Sequence, residues 1–267
     1  MHRLDIASAD TTHTLKDGRG FDFRVGTAGW SIPRAMCVAF PTDGSHLQRY
    51  SSVFTAVEIN SSFYRSHKQA TYARWAATVP TGFRFSVKLS REVTHILRLQ
   101  NCAAPLKQFF HEIEGLGDRL GNVLIQLPPS LAFERPTATK FFSLLRRHFS
   151  GKVVLEPRHV TWFGLEVDEL LRKFHVGRTG SDPFVCDAAA IPMPMGNMAY
   201  RRLHGSPRMY YSNYDEAYLQ ILAATLMQNV GAQESWCIFD NTAHGFASAN
   251  ALRLLALLHS GAQNEPP

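Results

Sequence analysis

The sequence predicts a single closed parallel (β/α)8 barrel of the TIM type, irregular around its sixth unit. Three observations predict it. Eight short apolar runs each end in a polar cluster, and stretches of helical period separate most of the runs. The chain is 267 residues long, enough for one large barrel, and no Pro/Gly/Ser-rich linker divides it. Strands alternating with helices imply a parallel sheet covered by helices, and eight such units favour closure over an open doubly wound sheet.

Residues 1–22 are polar and aperiodic and are expected to form a flexible arm. The first strand covers about 23–28 and ends in Gly26-Thr27-Ala28-Gly29-Trp30. A long rim loop, 31–44, follows with Pro33 and Pro41. A helix at about 46–54 leads to strand two, Ala56–Asn60, and the cluster Glu58 to Tyr64. A helix over 69–78 is expected from Tyr72, Trp75 and Ala76. Strand three is Phe83–Lys88, with Thr94-His95 beyond it. Leu106, Phe109, Phe110, Ile113, Leu116 and Leu120 follow helical spacing, and Gly121 is expected to stop that helix before strand four, Val123–Leu127.

Pro136 suits the first turn of the next helix. Strand five, Lys152–Glu156, runs into Glu156-Pro157-Arg158-His159, and a helix occupies about 166–174. Strand six, at about 175–179, is short, and 183–198 is rich in Pro and Met, so this unit is the irregular one. Strand seven is Ala199–Leu203. Asn213 followed by Glu216 resembles a capping box opening the seventh helix. Strand eight is Ser235–Phe239, a last helix spans about 246–259, and 261–267 form a tail beyond the barrel domain at 23–260.

Taken together, Gly26 to Trp30, Val57-Glu58-Ile59-Asn60-Ser61-Ser62-Phe63-Tyr64, Phe85 to Lys88 with Thr94-His95, and Gln126-Leu127-Pro128-Pro129-Ser130 resemble the YecE-like proteins, domain of unknown function 72. Glu156 to His159 with Trp162, Asp182, Arg202-Leu203-His204-Gly205 and Phe239-Asp240-Asn241-Thr242 extend the resemblance, in order, over about 23–258. It implies a TIM-type barrel in a family without an established activity. The chain departs from many relatives at Ser31-Ile32-Pro33-Arg34, where they carry a Tyr and a Trp-Arg-Gly-like segment.

Barrel active sites lie where the strands end. The residues expected there for catalysis are Glu58, Lys88, His95, Glu156, Asp182 and Asp240. Those expected to bind substrate are Trp30, Asn60, Tyr64, Arg65, Arg158, His159, Trp162, Arg202, His204, Gly205, Asn241 and Thr242. Converging carboxylates and imidazoles suit general acid–base work or a divalent metal, although no local spacing marks a metal site. Their structural alternative is pairing of Glu58, Glu156 and Asp240 with Lys88, Arg158 and Arg202. Gly205 and Gly245, with Ser206, Thr242 and Arg208, suggest phosphate-binding turns after the last two strands.

Formal charge is +6, from 28 basic and 22 acidic residues, without a dense basic tail. Cys37, Cys102, Cys186 and Cys237 are widely separated, which argues against a disulfide framework or a structural zinc. With no apolar leader and no long apolar segment, a cytoplasmic protein without membrane contact is expected. G-x-S-x-G, P-loop, H-E-x-x-H and G-x-G-x-x-G motifs are absent from the sequence. Gln126 and Arg202 stand where a retaining barrel glycosidase takes its carboxylates. The expectation is therefore binding and hydrolysis of a phosphate-bearing ligand, a nucleotide or nucleic acid. The alternatives are a sugar isomerase or lyase and a non-catalytic nucleic-acid-binding module.

Overall fold

The computed structural model describes residues 15–16, 21–228 and 233–263. Most of the expected arm, 1–22, and residues 264–267 of the expected tail lie outside them. A short strand, β1 (Leu15–Lys16), pairs antiparallel with β2 (Asp22–Thr27), placing Leu15 opposite Phe23.

The remaining strands are β3 (Ala56–Ile59), β4 (Arg84–Lys88), β5 (Leu120–Gln126), β6 (Val153–Glu156), β7 (Val176–Arg178), β8 (Gly180–Asp182), β9 (Met198–Leu203) and β10 (Glu234–Phe239). Hydrogen bonding divides them into two sheets, β1-β2-β10-β9-β8 and β3-β4-β5-β6-β7, rather than one unbroken ladder. Every pairing except β1–β2 is parallel. An isolated parallel bridge, Ala28 to Glu58, joins the sheets on one side, where the Gly29 N–H donates to the Glu58 carbonyl at 2.8 Å. On the other side one short stretch of chain, 176–182, supplies both β7 and β8. Thr179, between them, donates its N–H to Leu155 of β6 at 2.9 Å. The irregular sixth unit is therefore a strand split between two sheets.

The helices are α1 (His46–Ser51), α2 (Gln69–Thr78), α3 (Ala103–Ile113), α4 (Arg135–His148), α5 (Leu165–Lys173), α6 (Asp187–Ala190), α7 (Glu216–Met227) and α8 (Phe246–Gln263). Their apolar stripes and one face of the strands form the large core. Leu106, Phe109, Phe110 and Ile113 of α3 are all buried in it. Each such side chain contributes about 1.5–3 kcal/mol by leaving water. A second, smaller cluster joins Ala56, Leu124, Val154, Met198, Tyr200, Trp236 and Ile238, alternate residues from strands of both sheets. Period-two alternation explains the division: Arg201 and Leu203 turn to the helices, Tyr200 and Arg202 to the inner side.

Several boundaries differ from the sequence reading: α1 ends at Ser51, and α8 runs on to Gln263, into the expected tail. Gly121 does not stop the third helix; α3 ends at Ile113, and a 3-10 turn, Glu114–Arg119, breaks at Gly117 (φ 48°). Gly121 lies inside β5, where an added Cβ would strike the Trp236 ring at 2.4 Å. The seventh helix is capped by Asp215, whose carboxylate accepts from Tyr218 N–H at 2.8 Å, not by Asn213.

Candidate functional site

Parallel pairing brings the C-terminal ends of the strands together, and a buried charged cluster occupies that end. Arg202 of β9 is its centre. Its Nε and Nη2 donate to Glu58 Oε2 and Oε1 at 2.8 and 2.7 Å, a two-pronged pair. Its Nη1 donates to Glu156 Oε2 at 2.6 Å, and Nη2 also reaches Asp240 Oδ2 at 3.1 Å. Arg202, Glu58 and Glu156 are fully buried. Buried ions are tolerated only when paired and hydrogen-bonded, and one planar guanidinium here serves three carboxylates.

Arg158 and His204 complete the network. Arg158 Nη2 lies 2.6 Å from both Glu156 Oε1 and His204 Nε2. His204 Nδ1 is 3.0 Å from Asp240 Oδ2. A proton on Nδ1 is donated to Asp240, while Nε2 sits between the Arg158 guanidinium and the Glu156 carboxylate. Glu156 Oε1 lies 2.8 Å from the same Nε2.

Burial alone would raise the Glu156 carboxyl, but Arg158, Arg202 and His204 hold it well below the usual carboxylate range. Asp240 is lowered against its burial by Arg202 and His204. Burial works against the Arg202 charge, but Glu156, Glu58 and Asp240 raise it well above its ordinary value. Groups whose folded pKa is depressed stabilise the fold above their unfolded pKa and lose that stabilisation as pH falls through the folded one. The urea midpoint is therefore expected to hold steady from pH 7 to 5 and to fall steeply below about pH 4. A midpoint flat down to pH 2 would refute this network as a source of stability.

Lys88, the last residue of β4, behaves differently from the other cations. It is 5% exposed, and its ammonium stands 4.3 Å above the Phe63 ring. Among the described residues its ammonium has no hydrogen bond and no carboxylate at ion-pair distance. Burial, with Arg202 nearby, lowers its pKa to about 8 against the opposing pull of Glu58, Asp240 and Glu156. His95 packs edge-on against the same Phe63 ring at 5.0 Å. Burial, Lys88 and Arg91 lower its pKa as well.

The structure thus brings together Glu58, Glu156, Asp240, Arg158, Arg202 and His204, with Lys88 and His95 beside them. Pairing of carboxylates with arginines is present, as the structural alternative foresaw, but Lys88 takes no part in it. Asp182 faces elsewhere, accepting from the Tyr214 hydroxyl at 2.9 Å. Trp162 is a buried anchor whose indole N–H donates to Leu131 O at 2.9 Å. Trp30 packs edge-on against Trp75 of α2 at 5.0 Å. His159 folds back onto Thr161, closing its own turn. Thr242 is exposed.

The expected phosphate turns have their donors engaged. Gly205 N–H donates to the Tyr214 hydroxyl at 2.8 Å, and Gly245 N–H to Thr242 O at 3.1 Å. Asn241 donates from its amide to Ser212 O and Asn250 Oδ1, both at 2.9 Å. Its Oδ1, like that of Asn60, is buried without a partner. Tyr64 and Arg65 line a cleft of about 240 Å³ with Phe63, Arg91, Ile96, Phe109 and Glu112.

The sequence reading did not assign Tyr200 to the site. Its hydroxyl lies 3.2 Å from Glu58 Oε2 and 2.9 Å from Ser86 Oγ, beneath the charged layer. Period two from Arg202 points to it. Tyr210, at φ 69°, stacks edge-on over His204 at 5.9 Å, and no sequence pattern signals that backbone conformation. Among the described residues no group of three His, Cys, Asp or Glu side chains is arranged to hold a metal ion. The Arg202 guanidinium occupies the oxygens such an ion would need. No helix among the described residues is long and apolar enough to cross a membrane.

Comparison with known proteins places this geometry in context. The family described as protein of unknown function DUF72 matches residues 24–267. The UPF0759 protein YecE of Escherichia coli is 28% identical over 154 residues, 57% of this chain. That match covers 54% of YecE, so the chain spans about half the length of the curated relative it matches. A DUF72 family protein of solved structure from Thermotoga maritima superposes with a TM-score of 0.73 at 25% identity, over 89% of this chain and 99% of its own. One from Enterococcus faecalis gives 0.73 at 18% identity, over 89% and 95%. A sugar phosphate isomerase/epimerase from Parabacteroides distasonis gives 0.53 at 12% identity, over 98% and 99%. The last two are likenesses of fold alone.

Proposed function

Since the chain belongs to the DUF72 family of proteins of unknown function, we propose a function from the site itself: binding, and hydrolysis, of a phosphate-bearing ligand at the C-terminal ends of the parallel strands. The two sheets act in this reading as one eight-stranded barrel. The Ala28–Glu58 bridge, the shared stretch 176–182 and the inner cluster drawn from both sheets support it.

One observation carries the ligand class. It is two cationic donors beside the cluster: among the described residues the Arg158 Nε–H is buried without an acceptor, and the Lys88 ammonium over the Phe63 ring has no hydrogen bond. An unpaired buried donor costs about 1–3 kcal/mol, more when charged. A phosphate ester, with its anionic oxygens, relieves both. The acceptors of Asn60 and Asn241 suit ligand hydroxyls. Tyr210, and Tyr211 under the Arg208 guanidinium at 4.2 Å, offer rings at the rim that suit a nucleobase. For hydrolysis, His204 between Asp240 and Glu156 is the acid–base group, and Lys88 and Arg158 stabilise charge on the phosphoryl oxygens.

Calorimetry with inorganic phosphate and a nucleoside monophosphate tests binding. Lys88→Met is expected to weaken both about tenfold or more. Wild-type affinity is expected to fall as pH rises through 8, where Lys88 loses its proton. Equal affinity in wild type and variant at pH 7 would overturn the assignment. Hydrolysis is checked with p-nitrophenyl phosphate and bis(p-nitrophenyl) phosphate, with and without Mn²⁺. No turnover under any condition removes the hydrolytic half.

A further inference from the structure

We propose that Lys88 is a nucleophilic amine that forms an imine with the carbonyl carbon of an aldehyde or ketone, and that the ligand is a phosphate-bearing carbonyl compound. The phosphate part of this rests on the function proposed above; the imine part does not.

The geometry separates Lys88 from the other cations of the site. Arg202 and Arg158 are bound to carboxylates and are always charged. Among the described residues Lys88 has no carboxylate partner to hold its proton. One side of its amine is covered by the Phe63 ring. The Arg202 charge is close enough to oppose its own. Burial and a neighbouring cation are the two conditions that make a lysine amine available as a nucleophile at neutral pH. The groups acting on it are Arg202 from β9, Glu58 from β3, Glu156 from β6 and Asp240 from the end of β10. His95 packs edge-on against the same Phe63 ring. An amine released from its proton by these surroundings has a lone pair to donate and no internal acceptor contact to give up.

The step balances without an outside oxidant. The Lys88 nitrogen adds to the carbonyl carbon, the C=O π electrons move to oxygen, and a proton shifts from nitrogen to that oxygen. The carbinolamine then loses the oxygen as water, with one proton delivered by a general acid, as the nitrogen lone pair forms C=N. Water reverses the sequence. The phosphate stays on the Arg158 Nε–H while the Lys88 nitrogen is bonded to the ligand carbon.

The test is reductive trapping. Wild-type protein is incubated with sodium cyanoborohydride and either glyceraldehyde 3-phosphate or glyceraldehyde, then digested with trypsin. Hydride addition to the imine carbon gives a stable secondary amine and blocks cleavage after Lys88, leaving the peptide 85–91 intact for mass spectrometry. At pH 7 a lysine of pKa about 8 is ~10% unprotonated, against ~0.03% at the ordinary 10.5, an advantage of ~300-fold. Lys88 is expected to be labelled at least tenfold faster than any other lysine. Its labelling rate is expected to rise about tenfold from pH 7 to 9 and level off, whereas surface lysines continue to rise. Lys88→Arg keeps the charge and is expected to abolish the product.

The two readings fail separately. Labelling of Lys88 by both aldehydes at equal rates supports the imine and counts against the phosphate. Phosphate binding in the calorimeter with no labelling of Lys88 overturns the imine and leaves the phosphate. Labelling no faster at Lys88 than at Lys68 or Lys107 overturns the nucleophile outright.

Discussion

Arg202→Met is expected to lower stability by about 4 kcal/mol and to invert its dependence on pH. Arg202 is the shared partner of Glu58, Glu156 and Asp240, and all of these groups are buried. Removing one partner of a buried pair leaves an uncompensated charge and costs about 3–5 kcal/mol. Here the loss strands Glu58, whose remaining contact is the Tyr200 hydroxyl, and weakens the hold on Asp240. The stranded carboxylates relieve the repulsion by taking up protons, so the folded variant binds more protons than its unfolded chain. Stability of the variant therefore rises as pH falls from 7 towards 5, the range over which the wild type is flat. Glu58→Gln in the Arg202→Met background is expected to restore a large part of the loss. Urea denaturation from pH 4.5 to 8 measures all three. A variant with the wild-type midpoint and the wild-type pH profile would show that the cluster does not hold the strand ends together.

Gly26→Ala is the second large effect, and it probes the seam between the sheets. A Cβ at Gly26 would lie 1.9 Å from the carbonyl oxygen of Ala56 and 2.7 Å from its carbon. Both atoms belong to the backbone of β3, so no side-chain rotation makes room. Tyr50, whose hydroxyl accepts from Thr27 N–H at 2.8 Å, would also lie 3.0 Å from the new methyl. Overpacking typically costs 1–3 kcal/mol and more where the backbone must move, so a loss of about 3 kcal/mol is expected from denaturant unfolding. The displacement would also disturb Glu58, two residues beyond Ala56, and phosphate affinity is expected to fall with it. An unchanged midpoint would mean that β2 and β3 are not held in the contact described.

Parts of this arrangement were legible in residue order. The helix over 69–78 and the Pro136 start of α4 are matched by the structure, because local spacing and a fixed proline φ act within one turn. The weakness of the sixth unit was legible in its short apolar run and the Pro- and Met-rich stretch after it. Glu58, Glu156, Asp240, Arg202 and His204 were legible as strand-end residues. Three features were not. Gly121 read as a helix stop because a glycine after an apolar stripe usually is one. Its actual role is to admit the Trp236 ring from another strand. Gly205 and Gly245 read as anion turns, yet their N–H groups are taken by Tyr214 and Thr242, one distant and one local. Lys88 read as a catalytic residue with carboxylate pairing as its alternative, and residue order could not decide between them, since composition cannot say which of several lysines and arginines finds a carboxylate.

The sequence by itself determined the alternation of strands and helices and the end of the strands at which charge collects. Both follow from periodicity, which is a property of neighbours along the chain. The tertiary structure decided which charges meet, and there the scale is set by ångströms between residues up to 144 positions apart, as Arg202 and Glu58 are. One guanidinium is bound to three carboxylates, and among the described residues the Lys88 ammonium pairs with none. That difference in pairing is invisible in the order of residues.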